Sequence, residues 1–326
     1  MGVIWAGTEI GHFETSGNVG ISTVTARRRQ DWTRHNVLIP GGDVTSHAAV
    51  RLPSARTNFW LSCQLWFRNG PADIQSWLLF LNGSDIGFAF RSSDPNTIAV
   101  RKADDSQVFE STSVTLEEIL VRLVVHVEDL DSDTDQQHIR IWVNDSLLLD
   151  ETGDFNAMLG GIDRIQFWST TPASAIRQTN ISEVIIADEP VHGWGVRSVW
   201  PTGDGTPFEW SGSYESVNDA VPDEDTLINS DTAGQEAVMG GPDMPTTDLE
   251  PKAVFAHAIA QATGSNPSDL ELGVKTPNGD RHYGNPQTLT SAFERYTEKF
   301  ENNPQTSQPW TRAELNDTDM AVRSQD

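Results

Sequence analysis

Up to about residue 190 the chain is built from short apolar runs with a period near two, each closed by Gly, Asn, Asp or Pro. That period marks strands with one buried face. It predicts strands over Val19–Ala26, Val37–Pro40, His47–Arg51, Phe59–Phe67, Ser76–Leu81, Ile86–Arg91, Thr97–Arg101, Leu120–Val127 and His138–Asn144. Two more follow, GIDRIQFWS from Gly161 and ISEVIIAD from Ile181. Strands at this spacing suit an antiparallel sandwich, and no helices alternate with them as a parallel sheet would need. One helical turn is expected at Val114–Ile119, with Thr115 as its cap and Glu118 three residues on. In the last strand Ile181, Val184 and Ile186 fall close to a period of two, which puts Glu183 and Asp188, five apart, on opposite faces.

The composition shifts near Asp188–Gly195, and the chain divides into domains 1–190 and 191–326. Ser211–Asp248 is poor in apolar periodicity and rich in Asp, Gly, Pro and Thr. It reads as a long acidic loop or an extended arm that packs on a neighbouring subunit. Ala253–Ala262 fits a strand or a helix, and is read here as a strand. Leu270–Thr276 is a further strand, and Thr288–Phe300 another, bent at its middle. Thr311 and Glu314 form a capping box that opens a short helix. The expected fold is all-β, with two antiparallel sandwich (jelly-roll) domains and minor helix.

Composition changes this picture at a few points. A formal charge of −25 argues against binding nucleic acid through its phosphates. Cys63 is the single cysteine, so no internal disulfide can form, and its place in FWLSCQLWF makes it a small buried hydrophobe. The N-terminus lacks the basic and apolar regions of a secretory signal, and no stretch reaches the ~20 apolar residues of a membrane span. The Asn-x-Ser/Thr triplets at Asn82, Asn144, Asn180 and Asn316 therefore read as chance.

Candidate chemistry is sparse. Concanavalin A-like glucanases carry Glu-x-Asp-x-Glu on one strand, which aligns an acid and a nucleophile; that triplet is absent. Phosphate loops, Gly-x-Ser-x-Gly and HExxH are absent too. No catalytic residue is nominated. The acidic turn EDLDSDTD presents Asp129, Asp131, Asp133 and Asp135 in alternation, oxygen ligands of the kind Ca²⁺ takes, but it lacks the Gly and Glu of an EF-hand loop, and a solvated hairpin tip is the default reading. Tryptophan is the other candidate. Trp60, Trp66, Trp77, Trp142 and Trp168 lie on strands and are expected in the core, while Trp194, Trp200 and Trp210 cluster at the boundary and are expected to join the domains. Exposed rings among them would stack on sugars. The triplet Arg27–Arg29 is a solvated strand end, or a contact with an acidic neighbour.

The succession LVRLVVHV, acidic turn, HIRIWVN, GIDRIQFWS and ISEVIIADE resembles the closing half of a laminin-G-like (concanavalin A-like) sandwich. The run Gly203–Thr226, SDTAG at Ser230–Gly234, the Tyr283–Gly284 turn and NPQTSQPWTRAELN are similar to virion structural proteins of tailed bacteriophages and prophages. In relatives the last motif continues into an apolar strand. Here DTDMAVRSQD follows, so that strand is expected to be short or differently paired. The resemblance implies a non-enzymatic component of the tail or head surface, made in the bacterial host cytoplasm. It would contact copies of itself and other virion proteins, and by analogy of fold a host-surface glycan. A free carbohydrate-binding module is the alternative, and a sandwich hydrolase or lyase stands behind it.

Overall fold

A computed structural model describes the chain except residues 1, 8–11, 17–18, 23–35, 41–45, 69–75, 93–96, 105, 112–113, 117–118, 133–135, 158–159, 169–177, 220–224, 245–249 and 265–266. The side chains of residues 16, 20–22, 36, 40, 168 and 178 also lie outside the description. The chain forms two compact units, Met1–Ser198 and Val199–Asp326. Nearly all of the regular structure is antiparallel β.

In the first unit two sheets enclose one core. The larger runs, edge to edge, β13 (Ser146–Thr152), β12 (His138–Val143), β11 (Val121–Glu128), β6 (Phe59–Arg68), β15 (Gln178–Ala187), β4 (Asn36–Pro40) and β3 (Gly20–Ser22), with β1 (Val3–Gly7) also paired to β15. The second runs β10 (Gln107–Glu110), β9 (Ala99–Lys102), β8 (Asp85–Arg91), β7 (Leu78–Asn82), β14 (Ile162–Trp168), β5 (His47–Arg56) and β2 (Glu14–Ser16). Alternation decides which side chains enter the space between them. Odd positions of β6 and β11 (Phe59, Leu61, Cys63, Leu65, Phe67; Val121, Leu123, Val125, Val127) meet Phe80, Phe88, Phe90, Ile165 and Phe167 of the other sheet. Rings interlock there, Phe88 edge-on to Phe155 at 5.2 Å and 87°. Asn144 and Asp145 take positive φ (49° and 63°), the two-residue turn that lets β12 fold back as β13.

Several expectations need correction. Trp77 is in the core as expected, but Trp60 and Trp142 occupy even positions, and the period of two turns them onto the outer face of the larger sheet. Trp66 is buried on that outer face rather than in the core cluster, and the side chain of Trp168 lies outside the described residues. Residues 114–116 are not helical, and Glu118 falls outside the description, as do Arg27–Arg29. The short strands β1, β2 and β10, and the charged edge strand β13, carry too little apolar alternation to have been picked out.

The second unit has a six-stranded sheet. Its order is β16 (Gly203–Phe208), β17 (Glu236–Gly240), β25 (Asp319–Gln325), β19 (Asp269–Lys275) and β20 (Arg281–Tyr283), with β21 (Gln287–Thr288) also on β19. A ribbon of β18 (Val254–Ala260) and β22 (Glu294–Phe300) lays Ala256, Ala258, Ala260 and Tyr296 against Leu270, Leu272, Ala237 and Val322 of that sheet. The strand reading of 253–262 is thus met. A hairpin of β23 (Asn302–Asn303) and β24 (Gln308–Pro309) leads to helix α1 (Arg312–Asn316), whose capping box of Thr311 and Glu314 forms as expected. Residues 211–248 are not a bare arm. A 3-10 turn at Tyr214–Val217, a bridge between Ser211 and Asn229, and all of β17 lie within them. The final strand is not short: β25 pairs over its length with both β17 and β19, and Ala321 and Val322 supply a small apolar centre within its polar sequence.

Candidate functional site

The outer face of the larger sheet carries the polar chemistry of the first unit. Register places Arg122 of β11, Gln64 of β6 and Ser182 of β15 side by side across three strands. One step along β6 stands Ser62, between Val124 and Ile185; one step the other way Trp66 faces Asn180, which on its far side faces Leu38 of β4. Cross-strand partners on one face have their side chains in reach of each other. None of Ser62, Gln64, Asn180 or Ser182 is more than 6% exposed. Yet the Oγ of Ser62 and Ser182, Oε1 of Gln64, both amide atoms of Asn180 and Nε of Arg122 have no hydrogen-bond partner among the described residues. Buried polar atoms in native proteins are nearly always paired with protein or water. Six such atoms therefore gather on adjoining positions of one sheet face, where water or a ligand would have to complete them.

A bulge brings a carboxylate to the same patch. Between the pairs Ser182–Gln64 and Ile185–Ser62, β15 has two residues where β6 has one. Glu183 is the extra residue, fully buried at φ 48°, a conformation that costs a non-glycine residue energy and gathers at functional positions. Its Oε2 lies 3.9 Å from Arg122 Nη2. Regular alternation is interrupted at this bulge, and Asp188 lies one residue past the end of β15.

A strap runs over the face after β15. Nη2 of Arg122 donates to the carbonyl of Trp194, and the Trp194 amide donates to the Val191 carbonyl around Gly193 at φ 77°. His192 packs edge-on against Trp60 (5.5 Å) and Trp142 (4.8 Å), with Nδ1 3.8 Å from Asp145. Trp60 in turn stacks flat on His126 at 3.9 Å and 12°. Beyond it a charged network fills the face of β11–β13. Arg140 Nη1 donates to Nδ1 of His126 (2.9 Å) and to Glu128 (2.7 Å), and His138 Nε2 meets Asp150 at 2.5 Å. Burial pulls the His126 imidazole down to about 4; Glu128 opposes this, while Arg140 and His138 reinforce it.

Asp129 follows β11 at φ 58°, its amide held by Asn58 Oδ1 and its carbonyl accepting from Ser132 N and Oγ. Asp131 is exposed, and Asp133 and Asp135 lie outside the described residues. Among the described residues no group of three His, Cys, Asp or Glu is placed to hold a metal ion. Trp194 belongs to the first unit, in the strap; Trp200 and Trp210 belong to the second, where Trp210 Nε1 donates to Gln235 O and its ring joins that unit's core. The second unit has its own cluster of paired charges, beside which the buried His282 Nε2 has no hydrogen-bond partner among the described residues. Glu271 receives Arg323 Nε (2.5 Å) and Gln325 Nε2 (3.1 Å), Arg281 pairs with Glu236 at 2.8 Å, and Arg323 lies over the Tyr283 ring.

No protein-family model matches the chain, and no curated protein does. Solved structures with a similar course of the chain are β domains. They include an endo-β-1,4-glucuronan lyase from the fungus Trichoderma reesei, 9% identical over 57% of this chain and 96% of that one, at a TM-score of 0.43. The binding domain of botulinum neurotoxin DC, solved with rat synaptotagmin II, is 10% identical over 96% and 94%, at 0.41. A carbohydrate-binding module from Bacillus subtilis is 11% identical over 54% and 94%, at 0.34. None of the three is described as a virion protein. At such identities the likeness concerns the fold, and the fold assignment rests on the strand pairing given above.

Proposed function

We propose that the chain is a saccharide-binding protein without enzymatic activity, and that the first unit holds its ligand on the outer face of the larger sheet. The observation that carries this reading is the set of unmatched buried atoms on Ser62, Gln64, Arg122, Asn180 and Ser182, with Trp66 beside them. Amides, hydroxyls and a guanidinium next to an aromatic ring are what a polyhydroxylated ligand uses, polar groups fixing orientation and the ring taking its C–H face. Among the described residues of the patch Glu183 is the one carboxylate, whereas glycoside hydrolysis commonly employs two. The Trp194 carbonyl, now accepting from Arg122, stands where a ligand hydroxyl would accept, so the strap lifts as ligand enters.

The setting in which such binding serves, the surface of a tailed phage particle, comes from the sequence motifs. Immunogold labelling of particles from an induced host tests it, and particles free of both label and protein refute it. Binding itself is tested on an immobilised glycan array with the intact protein, then by calorimetry for each hit against wild type and Asn180→Leu. Loss of binding in a variant that keeps its fold supports the site. Unchanged affinity moves the site elsewhere, and release of a shortened or unsaturated product would establish an enzyme instead.

A further inference from the structure

We infer that the patch takes a neutral, hydroxyl-rich saccharide and discriminates against acidic ones; this rests on the saccharide-binding reading above. The first reason is the kind of atom left unmatched. The set mixes acceptors (Gln64 Oε1, Asn180 Oδ1) with donors (Asn180 Nδ2, Arg122 Nε) and two serine hydroxyls that do either. A sugar hydroxyl donates once and accepts, so it can satisfy both kinds at neighbouring positions. A carboxylate or sulfate only accepts, and would turn its lone pairs toward those of the two carboxamide oxygens.

The second reason is charge. Among the described residues of the row Arg122 is the cation, and its charge is already answered by Glu183, 3.9 Å away and fully buried. An anionic sugar ring would leave the patch with one uncompensated negative charge away from water, which is costly. A neutral ring leaves the Arg122–Glu183 pair balanced. The third reason acts at long range: the chain carries −25, and acids outnumber bases within residues 1–190 as well, so its field repels acidic polymers before contact.

The test titrates the intact protein by calorimetry with two panels of hexasaccharides, at low and at high salt. One panel is neutral (β-glucan, α-glucan, mannan, galactan), the other acidic (glucuronan, alginate, polygalacturonate). At least one neutral member is expected to bind about tenfold or more tighter than every acidic member, with little change between salts. Asn180→Leu and Ser182→Ala, each checked for an unchanged circular dichroism spectrum, are expected to weaken that binding by about tenfold. Ser62→Ala serves if either variant fails to fold. An acidic hexasaccharide that binds as tightly as any neutral one, weakens in salt and loses affinity in Asn180→Leu would overturn the neutral-ligand inference and leave saccharide binding standing. Failure of every member of both panels to bind would sink both.

Discussion

Asn180→Leu separates a residue kept for a ligand from one kept for the fold. The Asn180 side chain is 1% exposed, lies between Leu38 and Trp66 across the sheet, and leaves both of its amide atoms unmatched. An unmatched buried polar group costs about 1–3 kcal/mol. Leucine has the same branching and suits the apolar neighbours, though its methyl groups are bulkier than the amide atoms and offset part of the gain. The expected result is a net stabilisation of about 1–2 kcal/mol, read as a rise of roughly 2–8 °C in the first unit's melting temperature by scanning calorimetry. Saccharide affinity should fall at the same time. A gain of stability against a loss of binding marks a group whose partner arrives from outside. If the variant instead melts lower by the equivalent of about 2 kcal/mol and binds as before, the amide serves the fold and the argument from unmatched atoms fails.

Four further outcomes are expected. The unfolded His126 imidazole takes up its proton near its ordinary value, whereas burial in the fold delays this to about 4. Stability is therefore full above pH ~6.5 and falls as pH drops toward 4, by up to about 3 kcal/mol. Urea midpoints at neutral and acid pH should differ less in His126→Phe than in wild type, and an equal difference would refute the assignment. Ca²⁺ is expected to leave the melting temperature unchanged, since the Asp129 turn is already held by Asn58 and Ser132; a rise that grows with Ca²⁺ concentration would show a bound ion. His192→Ala removes the edge contacts that hold the strap on Trp60 and Trp142, and calorimetry should find tighter saccharide binding. Thr311→Ala breaks the capping box of α1 and should lower the denaturation midpoint of the second unit by the equivalent of about 1 kcal/mol.

The strands were legible because burial leaves a period of two, and it did so wherever both sheets press on one core. Phe59–Phe67 and Leu120–Val127 are such cases, and their odd positions are core residues in the fold. The site was not legible, because its members come from strands far apart in the chain. Gln64, Arg122 and Ser182 become neighbours only through the pairing of β6 with β11 and β15, a register that no local pattern announces. Their polarity gave an opposite hint, since Ser62, Gln64 and Arg122 alternate with apolar residues as a solvated face would. Trp60 and Trp142 misled for the same reason: hydrophobicity argues for burial, but parity decides the face. The final strand, which by comparison with the resembled family is expected to be short or differently paired, is central because the ladder on both sides uses its backbone.

One signal for the site was present and can be recovered from spacing. Ile181, Val184 and Ile186 all enter the core, and the step from 181 to 184 is three, not two. A strand that keeps its apolar side inward across an odd step must carry an extra residue, which is what a bulge supplies. Here Val184 joins Cys63 in the core and Glu183 is the residue added, its carboxylate 3.9 Å from Arg122. Had β15 kept strict alternation, position 183 would face the core, where a carboxylate has no partner, and Arg122 would sit buried with no counter-charge. The bulge thus gives Arg122 a counter-charge while the hydroxyls and amides beside it stay unmatched, and the proposed preference for a neutral ligand rests on that pairing.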